Sequence, residues 1–507
     1  PRPRPPTALR ARVAVRFAQH PRGAARPRRI AAPARRGRSL RLAALVGAAL
    51  GAIGCEGAGP AVDAGLGALD GAADDGGGCA PLALAIPGAP RATGAIHASC
   101  GATLTLDEAR VLDLWVEHGS LTLAAREGAY VGPLRLDAGT WLVAVDRDTT
   151  LHVRDLGAPP PAALSIARSL TWTDAALLDD PEVAGLDRVM RAVSGDAPPG
   201  RLLDAMFRRF GTTAHSERLG PQRIVEEQVE LQGADPAGWD LDALPFRVTG
   251  VHNRVDLADG TGCGELRVSL ASTHALHQPF HLIFLFAQPA RDEDLRPDGV
   301  AHCAATALAW ARLSALDDAA FRAAARAVLA EALAPARFLV LETVEFIISP
   351  WEWRQWFLEG GALENRPLFQ TVDTERLNRA GPDRGAFLAW VGDNAAALDA
   401  RTQLVPERFR APSARVNDGV PWIALDLGGL AALERYPRLR QQLEIVGCPA
   451  CHATDAPFVQ TLPDRTFSPF YRRELDAREA HLRSLAEGRA PIPAPFGPLQ
   501  PDPLLPP

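Results

Sequence analysis

Lysine is absent from this 507-residue chain, so all 54 of its basic side chains are arginine. That removes Schiff-base and lysine-nucleophile mechanisms, and high-GC codon usage is its simplest source. Methionine is almost missing: Met190 and Met206 are the only two. Long apolar runs are missing as well. Beyond Leu42 to Ile53, no stretch approaches the ~20 residues of a membrane-spanning helix. Residues 1–41 hold 13 arginines and no acidic side chain. Setting those charges aside moves the formal net charge from −6 to −19. An acidic remainder argues against nucleic-acid binding by phosphate neutralisation.

What is present is concentrated at the two ends. Arg35 to Arg41 is basic, Leu42 to Ile53 is apolar and rich in Ala, Gly and Leu, and Gly54-Cys55 follows. This order predicts a signal peptide. Ala52-Ile53-Gly54-Cys55 resembles a bacterial lipobox, which implies Cys55 as a lipidated first residue and the periplasm or outer membrane as location. By resemblance to known lipoprotein sorting habits, Glu56 in place of Asp after that cysteine implies the outer membrane. Residues 1–34 read as an upstream extension or a mis-set start.

Near the other end stands Cys448-Pro449-Ala450-Cys451-His452. Two thiols three positions apart can form thioethers to one porphyrin, and the adjoining imidazole becomes the proximal iron ligand. The reading is one covalent haem c held by Cys448, Cys451 and His452. No methionine follows the motif, which excludes a small cytochrome-c domain with a downstream methionine ligand. His481 is the remaining histidine candidate for the sixth position. Three rivals compete for the two thiols: a thioredoxin-like C-P-x-C, a zinc site and a plain disulfide. Only 56 residues follow Cys451, little room for the rest of a thioredoxin fold. No second C-x-x-C exists to complete a zinc site.

Seven cysteines are then accounted for. With Cys55 given to lipid and two to haem, four remain, and the sequence-local pairing is Cys79–Cys100 and Cys263–Cys303. Disulfides fit an exported protein. Four unrelated buried thiols are the alternative.

The predicted fold class is multidomain, a small antiparallel β-sandwich followed by a larger α+β domain with a mostly helical C-terminal segment. Residues 1–54 are extension and signal peptide, and 55–94, poor in large side chains, form a flexible tether. Residues 95–160 show short strand-like runs about ten residues apart, the sandwich pattern. The α+β domain spans 161–425, and 426–490 is the helical haem-motif segment packed on it. A Pro-rich tail covers 491–507. Helices are expected over Val183 to Val193, Arg201 to Phe210, Leu427 to Leu443 and Arg472 to Glu487.

Polar residues gather in His252-Asn253-Arg254-Val255-Asp256-Leu257 and Cys263-Gly264-Glu265-Leu266-Arg267. Asn253, Arg254 and Asp256 suit a turn, and Glu265 and Arg267 share a strand face. The network is either functional or a structural charge cluster beneath a disulfide. N-R-x-D-L, C-G-E-x-R, Trp351-Glu352-Trp353-Arg354 and a late single C-x-x-C-H together resemble an uncharacterised family of exported bacterial proteins from high-GC genomes. The resemblance covers about residues 240–460. It implies export and haem but names no substrate.

His274, His277 and His281 would align on a helix as metal ligands, yet Pro279 and the strand-like Phe280 to Phe286 oppose a helix. Trp351, Trp353 and Trp356 line a ligand cleft or belong to the core. The leading functional expectation is electron transfer or redox sensing in the envelope, with an unidentified redox partner and a lipid anchor as membrane attachment. A non-enzymatic envelope binding or scaffold lipoprotein is the alternative, and a monohaem peroxidase-type enzyme the second.

Overall fold

A computed structural model describes residues 82–85, 91–210, 220–258, 260–274, 280–345, 351–368, 372–399, 403, 405–416, 426–428, 430–436, 439, 443 and 460–489. The signal peptide, Cys55, Cys79, His277 and the whole of 448–452 lie outside these residues.

Nine strands come first: β1 Leu82–Ala85, β2 Arg91–Ile96, β3 Ala102–Leu106, β4 Arg110–Val116, β5 Leu121–Leu123, β6 Arg126–Gly128, β7 Tyr130–Leu136, β8 Gly139–Val145 and β9 Thr149–Gly157. They form two sheets, ordered β1-β3-β8-β5-β6 and β2-β9-β4-β7. Alternation decides their faces. In β3, Ala102, Leu104 and Leu106 are buried while Thr105 is exposed. These side chains meet Leu112, Leu114, Val131, Val143 and Val153 in one core shared by both sheets. Two corrections follow. β1 and most of β2 fall in the stretch expected to be a tether, because Leu82, Leu84 and Ala92 pack against this core. The pattern is also not wholly antiparallel, since β1 runs parallel to β3.

The second part mixes helices with one large antiparallel sheet. Its strands are β10 Thr171–Trp172, β11 Phe246–Arg254, β12 Gly262–Ser272, β13 Phe280–Pro289, β14 Phe338–Glu345, β15 Trp351–Glu359, β16 Ala362–Arg366 and β17 Ala414–Val416. The order is β10 to β16 in sequence, with β17 added beside β15. One face is apolar. Val268 and Leu270 of β12, Phe280 to Phe286 at alternate positions of β13, Leu341 and Trp356 form the main core with helical side chains such as Met190, Phe207, Leu308 and Leu329.

Helices start where their capping residues dictate. Asp317 accepts from the Ala320 N–H ahead of Asp318–Ala332, and Ser468 accepts from the Tyr471 N–H ahead of Pro469–Ala486. The helix expected over Val183 to Val193 is two, Pro181–Ala184 and Leu186–Ser194. At Gly185 between them a Cβ would stand 2.7 Å from the Pro181 carbonyl oxygen, so the chain turns where only glycine fits. Pro199 opens the Pro199–Phe210 helix rather than separating two helices.

The helical segment expected over 426–490 divides between two cores. Leu427, Leu439 and Leu443 join Val372, Phe387, Val391 and Phe409 in a separate small core. Tyr471, Leu475, Leu482 and Leu485 join the main core instead. Of the helix expected over Leu427 to Leu443, Ala432–Arg435 is helical, Tyr436 is not, and Leu439 and Leu443 are helical again.

Backbone acceptors join the β-rich part to the body. Arg154 Nη1 donates to the carbonyls of Asp292 and Leu295, at 3.0 and 2.9 Å. Arg312 Nη2 donates to those of Leu156 and Ala158. Among the described residues no helix is long and apolar enough to cross a membrane.

Candidate functional site: a buried charge cluster on one sheet face

The face of the large sheet opposite the main core is polar at its β11–β12 end. Register puts His252 beside Arg267 and Arg254 beside Glu265. Ser269 lies beside Ile283, which lies beside Glu342, and Glu342 beside Gln355. Because side chains alternate, all of these share one face. The Trp-rich segment splits accordingly. Trp356 is fully buried in the main core, while Trp353 packs with Ile283, Val340 and Val344 on the other face.

Each position of C-G-E-x-R has a separate structural task. Cys263 is bonded to Cys303, with 5.3 Å between Cα atoms. Gly264 has φ +84°, and a Cβ there would run into the Arg254 carbonyl. It sits at the irregularity that shifts β12 register between Gly262 and Glu265. Glu265 accepts from Arg267, as their shared strand face predicts.

N-R-x-D-L is strand and then a tight turn, not a turn throughout: β11 runs to Arg254 and a 3₁₀ turn spans Val255–Leu257. Asn253 points away from the cluster. Its Oδ1 accepts from the Val255 N–H and from Gln288 Nε2, and its Nδ2 donates to the Ser169 carbonyl. Arg254 and Asp256 face each other across two charge-assisted hydrogen bonds.

Further residues complete the cluster from a distance. Glu474 and Arg478 pair within the Pro469–Ala486 helix, one turn apart. His481, three residues on, shares their stripe and is 6% exposed. His481 is near enough to Asp256 to act on it electrostatically, which brings this candidate sixth ligand beside the charge cluster. Glu342 lies 3.9 Å from Arg267 and accepts from Gln355 at 3.1 Å. Burial, opposed by Arg267, holds Glu342 above the usual carboxylate range. For Asp256 burial also acts upward, but Arg254 and then Arg478 outweigh it and the shift is downward. Arg254 moves upward, because Asp256, Glu265 and Glu474 overcome its own burial.

His252 is the chemically open group here. It is fully buried, and its Nδ1 lies 3.2 Å from Thr171 Oγ1, which also bonds the Tyr471 hydroxyl. Among the described residues its Nε2 has no hydrogen-bond partner. Burial, then the charges of Arg478, Arg267 and Arg254, push its pKa well below the usual range, so the ring is neutral. Thr461 and Arg465 close over this region. Thr461 Oγ1 donates to Thr249 Oγ1 at 3.1 Å, and Arg465 Nε donates to the Val248 carbonyl.

Elsewhere His274 pairs with Glu227 at 3.0 Å, and His281 lies within β13. His281 is therefore on a strand, not on a helix with His274. Among the described residues no group of three His, Cys, Asp or Glu side chains could hold a metal ion. The roles of Glu342 and Gln355 had no signal in the sequence, whereas His252 opens the polar stretch that did. The Glu474, Arg478, His481 stripe did have one, its helical spacing.

Comparison with family models, with curated proteins and with solved structures gives no match for this chain.

Proposed function

We propose that this is an exported, lipid-anchored protein of the bacterial envelope that carries one covalent haem c and acts in electron transfer or redox sensing. Cys448 and Cys451 would be the thioether anchors and His452 the proximal ligand. The single observation that carries the reading is the C-x-x-C-H itself, whose donor set of two thiols and an adjacent imidazole matches what haem attachment requires. Bound there, haem would supply a one-electron iron couple.

Four features support it. Residues 35–55 have the order of a signal peptide and lipobox, which would place the thiols where haem is attached. The Cys263–Cys303 disulfide belongs to an oxidising compartment. Leu443, before the motif, is 2% exposed in the small core, and Thr461, after it, is fully buried beside Thr249. A β-sandwich module, an α+β body and a helical haem segment would be its parts. The resemblance to exported high-GC bacterial proteins, read on N-R-x-D-L, C-G-E-x-R and the late C-x-x-C-H, points the same way.

The competing reading is a non-enzymatic binding or scaffold lipoprotein. It is favoured by the charge cluster, whose members are largely neutralised by one another. Haem staining after denaturing electrophoresis separates the two, with the protein made alongside a cytochrome c maturation system. A stained band supports the haem reading. An unstained band of full-length, exported protein leaves the scaffold.

A further inference from the structure

Residues 291–303 meet three strands of the β-rich part. For β9, the carbonyls of Asp292 and Leu295 accept from Arg154 Nη1. For β7, the Arg296 guanidinium lies 4.6 Å over the Tyr130 ring. For β4, His302 Nε2 lies 3.6 Å from Asp113 Oδ2, and Arg154 Nη1 lies 3.5 Å from the same oxygen. The Ala304 N–H donates to His302 Nδ1 at 3.1 Å, so the ring proton sits on Nε2, the atom that faces the carboxylate. Asp113 is fully buried and depends on these partners, because a buried charge without them bears its whole desolvation cost.

The segment has little apolar support of its own. Residues 291–293 and 297–300 are exposed, and its one helical piece is the 3₁₀ turn Asp292–Asp294. Asp294 fastens its beginning by accepting from the Thr306 N–H and hydroxyl. Its end is fastened by Cys303, bonded to Cys263 in a satellite core of Cys263, Ala301 and Cys303 with Ala258, Ala290 and Leu295. Two of those six are the bridge itself. Cys303 has φ +59°, a left-handed conformation unfavourable to a residue with a Cβ. The Ala304–Arg312 helix that follows it is fixed through Ala304, Ala307 and Leu308 in the main core. When Cys303 relaxes, that helix stays in place and the chain before it moves, His302 first.

We propose that the Cys263–Cys303 bridge is a redox-sensitive fastener of the β-rich part. Oxidised, it holds Cys303 in the left-handed conformation that aims His302 at Asp113. Reduction by a dithiol breaks the Sγ–Sγ bond; the dithiol supplies two electrons and two protons and leaves as its own disulfide. Cys303 then relaxes, segment 291–303 withdraws, and Asp113 opens to water. Val111 and Leu156 in the main core, Arg312 on the Leu156 and Ala158 carbonyls, and Arg126 on the Gly488 carbonyl remain as the hinge. No residue of 448–452 takes part, so the inference stands whether or not haem is attached.

The test is carbodiimide coupling of glycine ethyl ester to the carboxylates of the full chain, mapped by peptide mass spectrometry. In the oxidised parent, Asp113 should couple far more slowly than Asp137, whose side chain is 76% exposed. Cys263→Ala with Cys303→Ala should raise the Asp113 rate about tenfold or more, while Glu342, buried in the large sheet, stays protected. The parent reduced with dithiothreitol, its free thiols confirmed by mass, should behave alike and decides the matter where the double variant does not fold. His302→Ala should raise the Asp113 rate with the bridge intact. Asp113 coupling at the Asp137 rate in the oxidised parent overturns the proposal. So does an unchanged Asp113 rate in the folded double variant, in the reduced parent or in His302→Ala. Loss of Glu342 protection in both bridge-free forms also overturns it, since the bridge would then hold the whole fold and not the docking.

Discussion

Arg254 and Asp256, two residues apart, hold each other by paired hydrogen bonds, Nε to Oδ1 at 3.0 Å and Nη2 to Oδ2 at 3.0 Å. Both side chains are nearly out of solvent, 13% and 12% exposed. Breaking such a pair leaves one buried charge uncompensated, at a cost of about 3–5 kcal/mol. Arg254→Met should therefore lower the unfolding free energy by about 3 kcal/mol in urea titrations. Arg254→Met with Asp256→Leu should cost less than the single change. A single variant as stable as the parent would contradict the clamp. The pair also sets a sign for acid. The folded pKa of Asp256 lies below its unfolded value, so its stabilisation is complete above about pH 4 and is lost as pH falls through the folded value.

Buried histidines predict a second pH effect in a higher range. Burial alone pushes His281 down to about 3, and His252 is also pushed well below its usual value. Between about pH 6.5 and 3 the unfolded chain binds a proton at His281 that the folded chain does not. Stability should then fall with falling pH, by about 1.4 kcal/mol per pH unit for each such histidine. Urea midpoints at pH 7.5 and 5.5 check this. His281→Leu should narrow the gap between them by about 1 kcal/mol, and an unchanged gap speaks against a neutral His281.

The Cys263–Cys303 bridge closes a loop with a sequence separation of 40. Chain entropy for such a loop gives about 4 kcal/mol of stabilisation, commonly delivered in part. Cys263→Ala with Cys303→Ala should lose about 2–4 kcal/mol in a denaturant titration. The parent should lose a similar amount once reductant reaches the bridge in denaturant. No difference between variant and parent would mean the bridge is idle.

Much of the fold could be read from sequence where one physical signal dominated. β3 alternates between a core face and an outer face, and Pro469–Ala486 has a serine cap and proline at its first turn. β15 was hidden because its buried positions include charge: Glu352 and Arg354 are 2% and 1% exposed beside Trp356. Hydropathy marks such residues as surface. The Gly220–Gln232 helix and the small core around Phe387 also went unread, their apolar spacing being irregular. For the charge cluster, the local pairs Arg254–Asp256 and Glu265–Arg267 follow from spacing. Their meeting with Glu342, Glu474 and Arg478 follows from tertiary packing, and no single sequence pairs residues so far apart.

Covalent haem at Cys448 and Cys451 is read from the alkaline pyridine spectrum of purified protein made with a cytochrome c maturation system. A c-type spectrum at one haem per chain is expected, surviving acid–acetone extraction and lost in Cys448→Ala with Cys451→Ala. Haem absent from the exported, folded parent, or extractable by acid–acetone, would contradict it.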